Sequence, residues 1–536
     1  MTFTDQTTET CFQRYSSTAK LQELAKKSYD LTQDGNLTSE RIRDYQIESC
    51  GFKMLYGMEK VDEPTLKALG ELAAEAKAVE KMIAMQDGEI VNVIEGYPSP
   101  NLPALHTAVR DFFGKPRESK VAQEATKLAS EEVDKLEAFL ANNKQFTDLI
   151  MVGIGGSDLG PRAAYLALQA FNVDKRRVHF IANVDPDDAA LVLQGIDLST
   201  TLVAVVSKSG STLETLTNEE IVRKRFRHFG LKPEGHFVAV TGKGSPMDDK
   251  NKYLEVFNIW DYIGGRYSMT SMAGGVPLAF ALGIEGYREY LRGANAMDKA
   301  ALEKDIRKNL PLMAALLSTW NQNFLGHHTV AVIPYSQALH RFSAHVQQCV
   351  MESNGKGVDK KGRPLNFLTG PIIWGEPGTN AQHSFCQLIH QGSHIVPVEF
   401  LGFAESQYGM DTLVQGTTSQ EKLLSNLFAQ SLALAKGQKD DNPAKSFSGD
   451  RPNHILLAKK VDPYTVGALA AYYEHWVAFQ GFIWDINSFD QEGVQLGKVL
   501  ADGLIHSYDS KRKGMELTRE ENSLGEELLK LIKEIS

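Results

Sequence analysis

Six short segments carry side chains able to bind an anion, move a proton or stabilise an oxyanion. The richest, Ser207-Lys-Ser-Gly-Ser-Thr-Leu-Glu-Thr215, directly follows the apolar run Thr201–Val206 and opens a predicted helix. There the free backbone amides and the positive end of the helix dipole favour an anionic group. A helix cap requires one hydroxyl, whereas Ser207, Ser209, Ser211 and Thr212 supply several beside Lys208, so a single phosphate is the favoured guest. The segment Gly153-Ile-Gly-Gly-Ser-Asp-Leu-Gly160 follows another predicted strand, and its glycines permit a sharp turn with amides directed at an anion. It fails as a dinucleotide fingerprint because Asp158 replaces the third glycine and would repel a pyrophosphate. No GK[ST] follows, which excludes a P-loop. Ser157 reads either as the N-cap of the next helix or as a further phosphate-binding hydroxyl.

Arg266 stands in Asp261-Tyr-Ile-Gly-Gly-Arg-Tyr-Ser268, where glycines allow close approach and a guanidinium can fork onto an oxyanion. A surface arginine in a glycine turn would look the same. The predicted helix Gln337–Val350 runs on into Met351-Glu352, and Asn354-Gly355 stops it. A carboxylate at a helix C-terminus is disfavoured by the dipole, which suits a general base, although surface glutamates are far commoner. His383 follows the Glu376-Pro-Gly turn and could shuttle a proton at neutral pH, or be a structural imidazole. His390 and His394 lie near it but lack the carboxylate support of a zinc site. Gln491 and Lys498 are one heptad apart, hence on roughly the same face of a predicted helix, which a solvated helix face would explain equally.

The elements that must hold these residues can be read from periodicity. The chain to about Lys144 reads as mostly helical, with Leu72, Ala76, Val79, Met82 and Ile83 at near-helical spacing over Glu71 to Met85. Short β-branched runs follow at Leu149–Ile154, Val178–Ala182, Thr201–Val206, Phe237–Thr241 and Glu255–Trp260, separated by helical-length segments such as Leu213 to Phe229. That alternation predicts a parallel α/β layer. A second alternation begins after the helical stretch Leu302–Trp320, with Thr329–Ile333 and His394–Phe400 as strands. The segment Gly437–Asn453 reads as a polar loop, and the tail from Ser523 as a docking helix with Leu528, Leu531, Ile532 and Ile535 on one face.

Composition narrows the function classes. The 536 residues are 42% apolar and 23% charged, ordinary for a globular chain. A net charge of −10 without a Lys/Arg block gives no electrostatic support for a nucleic-acid partner. The four cysteines show no CxxC pairing, which favours a reducing compartment over a disulfide framework or a zinc site. The polar N-terminus lacks an apolar leader core, and no run approaches the ~18 apolar residues that span a bilayer. The expectation is a soluble cytoplasmic protein with no membrane partner.

Taken in order, GIGGSDLGP, SKSGSTLET, DYIGGRYS, MESNGK, GEPGTNAQHSF and FDQEGVQLGK resemble the phosphoglucose isomerase family, over Gly153 to Lys498. The resemblance implies an α/β fold of two sugar-isomerase (SIS) α-β-α sandwiches with mainly parallel sheets. Residues 1–116 would be a helical N-terminal part of the large domain, 117–286 the small phosphate-binding domain, 287–510 the large domain with the catalytic base, and 511–536 a helical arm. It further implies a homodimer with shared active sites, no metal or organic cofactor, and reversible conversion of glucose 6-phosphate to fructose 6-phosphate in glycolysis and gluconeogenesis. By position, Glu352 corresponds to the proton-transfer base, Arg266 to the enediolate stabiliser, and His383 and Lys498 to the ring-opening groups. Ser157, Ser207, Lys208, Ser209 and Thr212 fall in the phosphate-binding region, with Ser209 where the family often has Thr. Glu214 and Gln491 also fall in the family's active site. One departure is Gln495, where the family pattern GVExxK has Glu.

The chemistry stands apart from the resemblance. Turning an aldose into a ketose requires ring opening, removal of the C2 proton and its return to C1 through an enediol. One carboxylate on one face of an open-chain sugar reaches both carbons, so Glu352 can serve as base and then acid. A fixed guanidinium stabilises the charge that develops on O1 and O2, worth roughly 3 kcal/mol. A remote phosphate holds the sugar in register. A phosphosugar sensor would need the hydroxyl loop but not Glu352, Arg266 and His383 together, and a nicotinamide dehydrogenase is disfavoured by Asp158.

Overall fold

The N-terminal third departs from the helical expectation, because four short strands interrupt it. In the computed structural model, which describes residues 9–514 and 523–535, β1 (Gln46–Ser49) and β2 (Phe52–Leu55) form an antiparallel hairpin. Its two-residue turn places Cys50 at φ 52° and Gly51 at φ 78°, the left-handed pair that a tight hairpin requires. A smaller pair joins β3 (Ile90–Asn92) to β4 (Leu102–Pro103). The predicted helix over Glu71 to Met85 is two helices, Glu63–Glu75 and Ala78–Gln86, parted where Lys77 takes φ 51°.

Two α-β-α sandwiches follow, as expected. Strands β5 (Asp148–Val152), β6 (Arg177–Ile181), β7 (Thr201–Val206), β8 (Phe237–Thr241) and β9 (Glu255–Asn258) form a parallel sheet in the order β6-β5-β7-β8-β9. Every residue of β5, β7 and β8 is buried, which explains their continuous apolar sequences: helices cover both faces. The second sheet contains β10 (Thr329–Pro334), β11 (Ile372–Trp374), β12 (Val398–Glu405) and β13 (Asn453–Lys460). Its order is β1-β2-β13-β12-β10-β11, so the N-terminal hairpin completes it antiparallel to β13. The predicted strand His394–Phe400 starts late, at Val398, after Pro397, which lacks an N–H for the ladder. The predicted helix Leu302–Trp320 is a turn followed by Leu310–Thr319, whose first turn is capped by the Asn309 side chain.

Between the layers run Met272–Ala300 and Pro463–Trp484, the latter buried from Thr465 to Trp484. They approach backbone to backbone: a Cβ on Gly467 would lie 1.8 Å from the Tyr290 carbonyl oxygen, and one on Gly293 1.9 Å from that of Tyr464. The stretch Gly265–Ala300 is long and apolar enough to cross a membrane, but 89% of its apolar window is buried inside the protein.

The chain divides into two compact units, one ending at Phe489 and the other beginning at Asp490. The second unit holds a short turn Glu492–Val494 and the helices Gln495–Arg512 and Ser523–Ile535. The predicted tail helix is present, and Leu524, Leu528 and Ile532 on it are exposed.

Two buried ionic clusters tie distant segments of the first unit together. Arg110 forks onto Asp298 at 2.6 and 2.8 Å and reaches Glu474 at 2.7 Å, while His475 meets Asp298 at 2.7 Å. In the second cluster, His454 on β13 lies 2.8 Å from both Glu59 and Glu399, and Tyr472 and Tyr473 donate to Glu399. Burial disfavours the imidazolium, but the hydrogen bonds and charges of Glu399 and Glu59 prevail and push His454 up to about 10. Unfolded, this histidine releases its proton near pH 6.5, so between that pH and about 10 the folded chain holds the extra proton. Stability from His454 should therefore be complete below pH 6 and decline as the pH rises toward 10. Denaturant titrations between pH 7 and 10 should show that decline, and His454→Gln should flatten it while lowering stability at pH 7.

Candidate active site

The site starts where the parallel sheet of β5–β9 reverses its winding. The connection from β5 runs to β6 on one side and that from β7 to β8 on the other, leaving a crevice at the carboxyl ends of β5 and β7. The loop after β7 places the Ser207 and Thr212 hydroxyls 2.9 Å apart, while Ser211 Oγ donates to Ser209 Oγ at 3.1 Å. Thr212 is the N-cap of helix Leu213–His228, yet its hydroxyl faces Ser207 and makes no cap bond. The first amides of this helix thus carry no side-chain acceptor, and Glu214 lies in its first turn, half-buried. Lys208 is arranged otherwise than as a free cation in the loop: its Nζ donates to the Ile263 carbonyl at 2.9 Å and lies 3.4 Å from that of Asp261. Burial holds its ammonium below the usual lysine value, against the pull of Asp261 and with a push from Arg266. It fastens the hydroxyl loop to the Arg266 turn.

The loop after β5 closes against the same turn. Gly155 adopts φ +59°, and a Cβ on Gly156 would lie 2.1 Å from the Gly265 carbonyl carbon. Only hydrogen can stand at that position. Ser157 ends the short turn Gly155–Ser157 and is not the N-cap of the next helix; Asp158 takes that place and accepts from Arg162 Nε at 2.7 Å.

Arg266 is buried, and its guanidinium is oriented from several sides. Nε donates to Ser353 Oγ at 2.5 Å and Nη2 to the Ser488 carbonyl at 2.6 Å, while Tyr267 OH pairs with Ser353 Oγ at 2.7 Å. Tyr267 in turn stacks on His106, centroids 4.7 Å apart. The remaining face points toward Glu352, with Nη1 3.7 Å from Oε2. That is an ion pair too long for a direct hydrogen bond. Glu352 Oε2 is buried without a hydrogen-bond partner among the described residues.

The predicted helix Gln337–Val350 is broken into a short turn Gln337–Leu339, an α segment Phe342–Gln347 and a π-helical turn Gln348–Glu352. Such widened turns recur at functional sites because they rotate the following side chains relative to the helix before them. Gln348 was not anticipated. Its amide faces the β5 loop, with Nε2 3.5 Å from where a Gly155 Cβ would lie, and its Oε1 is buried and unpartnered. Its spacing four residues before Glu352 was the available signal.

The remaining candidates are His383, Gln491 and Lys498. His383 ends the turn Asn380–His383 and is exposed, and among the described residues no hydrogen bond or ion pair joins it to Glu352 or Arg266. Gln491 and Lys498 belong to the second unit, both exposed. They do not share a helix face, because Gln491 precedes the turn Glu492–Val494 and the helix starts at Gln495. Gly493 beside Glu492 delays the helix. Among the described residues no three His, Cys, Asp or Glu side chains converge as a metal site.

The family model described as phosphoglucose isomerase matches residues 55–524. The chain belongs to this family. It is 60% identical over 506 residues to the glucose-6-phosphate isomerase of Protochlamydia amoebophila (strain UWE25), covering 94% of each chain. It is 51% identical over 499 residues to that of Chlamydia caviae, covering 93% of this chain and 95% of the relative. The crystal structure of a glucose-6-phosphate isomerase from Chlamydia trachomatis D/UW-3/Cx superposes with a TM-score of 0.94 at 48% identity, over 98% of this chain and 100% of that one.

For a family member built this way, two substitutions are informative. Arg266→Lys replaces the fork with a point charge and cannot meet Ser353 and the Ser488 carbonyl together, so kcat should fall about 100- to 1,000-fold with a small change in KM. Gly156→Ala forces the β5 loop away from Gly265 and should cost about 1–3 kcal/mol, read as a lowered denaturation midpoint.

Proposed function

We propose that this chain is an aldose–ketose isomerase that interconverts D-glucose 6-phosphate and D-fructose 6-phosphate, with Glu352 as the proton carrier. The observation that carries the reading is the Glu352 carboxylate oxygen, buried, unpartnered and 3.7 Å from a guanidinium fixed on its other edges. The hydroxyls of Ser207, Ser209 and Thr212 and the uncapped helix start receive the phosphate, with Ser157 at the neighbouring loop. Glu214, in the first turn of that helix, and Gln491 complete the substrate contacts on this reading, and Gln348 adds an amide beside the base. His383 and Lys498 take the ring-opening step: as the C1–O5 bond breaks, one gives a proton to O5 while the other takes up the O1 hydroxyl proton, leaving the C1 aldehyde.

Once the chain is open, Glu352 removes the C2 proton. The electrons move into an enediolate whose charge on O1 and O2 lies against Arg266. Glu352 then returns its proton to C1 as the O2 hydroxyl proton passes to O1, so that the carbonyl now stands at C2. Nothing in the cycle oxidises or reduces the sugar. Glu352→Gln should lower kcat about 1,000- to 10,000-fold while phosphosugar affinity changes less than about threefold. Near-normal turnover by that variant would overturn the assignment.

We further propose a cytoplasmic homodimer with shared sites. Supporting it are the four unpaired cysteines, the exposed His383, which among the described residues makes no hydrogen bond or ion pair to its own chain's Glu352, and the exposed apolar residues of helix Ser523–Ile535. Mixing Glu352→Gln with His383→Ala subunits tests sharing. If His383 completes the partner's site, each mixed dimer has one intact site and activity returns. If each chain completes its own site, mixing restores nothing.

A further inference from the structure

The second sheet repeats the winding reversal that builds the site above. β10 connects to β11 on one side and β12 to β13 on the other, so β10 and β12 flank a switch point of their own. Crevices at the carboxyl ends of such strand pairs are where open α/β sheets bind ligands. A cavity of about 460 Å³ elsewhere is lined by many charged groups, among them the Asp87–Arg117 pair, and so differs from the one at β10/β12.

At β10/β12 the structure holds a cavity of about 400 Å³, within the size range of small-molecule sites. β10 ends at Pro334 opposite Leu401, so β12 overhangs it by the four residues to Glu405 and forms one wall with Phe403. Ser406 stands immediately beyond β12, as Ser207 stands beyond β7, and Ser336 stands two residues beyond β10. The Gln337 amide and the hydroxyls of Ser336, Ser406 and Tyr408 line the cavity and make no side-chain hydrogen bond among the described residues. In contrast to the phosphate-binding loop, no Lys or Arg lines it. The formal charge present is Glu405, 3.5 Å from Lys459. A phosphate would meet the Glu405 carboxylate there, with no Lys or Arg in the wall.

We propose that this crevice is a second ligand site, for a neutral polyhydroxylated molecule of hexose size. Its chemistry matches such a ligand: several neutral donors and acceptors converge on a concave surface, and the exposed aromatic ring of Tyr408 offers an apolar face to the C–H side of a sugar ring. The site is separate from the Glu352 centre and does not depend on its chemistry.

Saturation-transfer NMR and calorimetry on the full-length enzyme, with D-glucose as the probe, test the proposal in the presence of saturating equilibrated glucose and fructose 6-phosphates. The expected dissociation constant is about 1–10 mM, typical of a ligand this small. Ser406→Trp, which fills the crevice, should weaken binding at least tenfold while turnover is unchanged. Gln337→Ala combined with Tyr408→Ala, at exposed positions, gives the same reading if the filled variant fails to fold. Absence of binding to about 100 mM, displacement of glucose by the phosphosugars, or undiminished binding in the substituted enzymes would each overturn the proposal.

Discussion

The guanidinium of Arg266 is held by groups from segments far apart in the chain, and much of the architecture can be read as what is required to hold it. Ser353 arrives at the end of the π-helical turn, Ser488 beyond the long buried helix Pro463–Trp484, and Arg266 itself from the loop after β9. A buried arginine is costly unless its donors are satisfied, and satisfying them with partners 87 and 222 residues away fixes the second sheet's helices against the first sheet's loops. The same constraint leaves Nη1 directed at Glu352. Behind it, Tyr267 leans on His106, which adjoins the buried cluster of Arg110, Asp298 and Glu474. Burial pushes Glu474 up to about 7, against the opposing charge of Arg110.

The loops of the first sheet serve a complementary purpose. Lys208 joins the hydroxyl loop to the Arg266 turn, and the Gly156–Gly265 approach joins the β5 loop to it. Three turns that would otherwise move independently thereby share one position. A phosphate held by the first would place the rest of a sugar at a fixed distance from the other two, which is how remote binding energy becomes orientation at the reacting carbons.

What was legible in the sequence was local. The hydroxyl loop reads clearly because a strand, its turn and a helix start are adjacent, whereas the glycines around Arg266 fit a surface turn as well as a close approach to a ligand. The strands of the first sheet were found from their unbroken apolar runs. The hairpin β1–β2 was not, since its four-residue strands gain stability by pairing with β13, Leu55 against Ile455, and no local signal reports a partner 400 positions on. Ser353, Ser488 and Gln348 escaped for the same reason: each is an ordinary polar residue until folding brings it to Arg266 or to the Gly155 turn. Lys208 looked like a phosphate cation, yet two backbone carbonyls claim its ammonium. Periodicity also projected one helix through Gln337–Val350, whereas packing around Glu352 breaks it into three forms of turn.

The central claim is that one carboxylate carries a proton between adjacent carbons while a fixed guanidinium stabilises the intermediate. Glucose 6-phosphate deuterated at C2, converted in ordinary water, tests it most directly. The account predicts fructose 6-phosphate with part of the deuterium at C1 and the remainder in solvent, and both pathways lost in Glu352→Gln. Quantitative retention at C1, the mark of a direct hydride shift, or continued wash-out in the variant would contradict it.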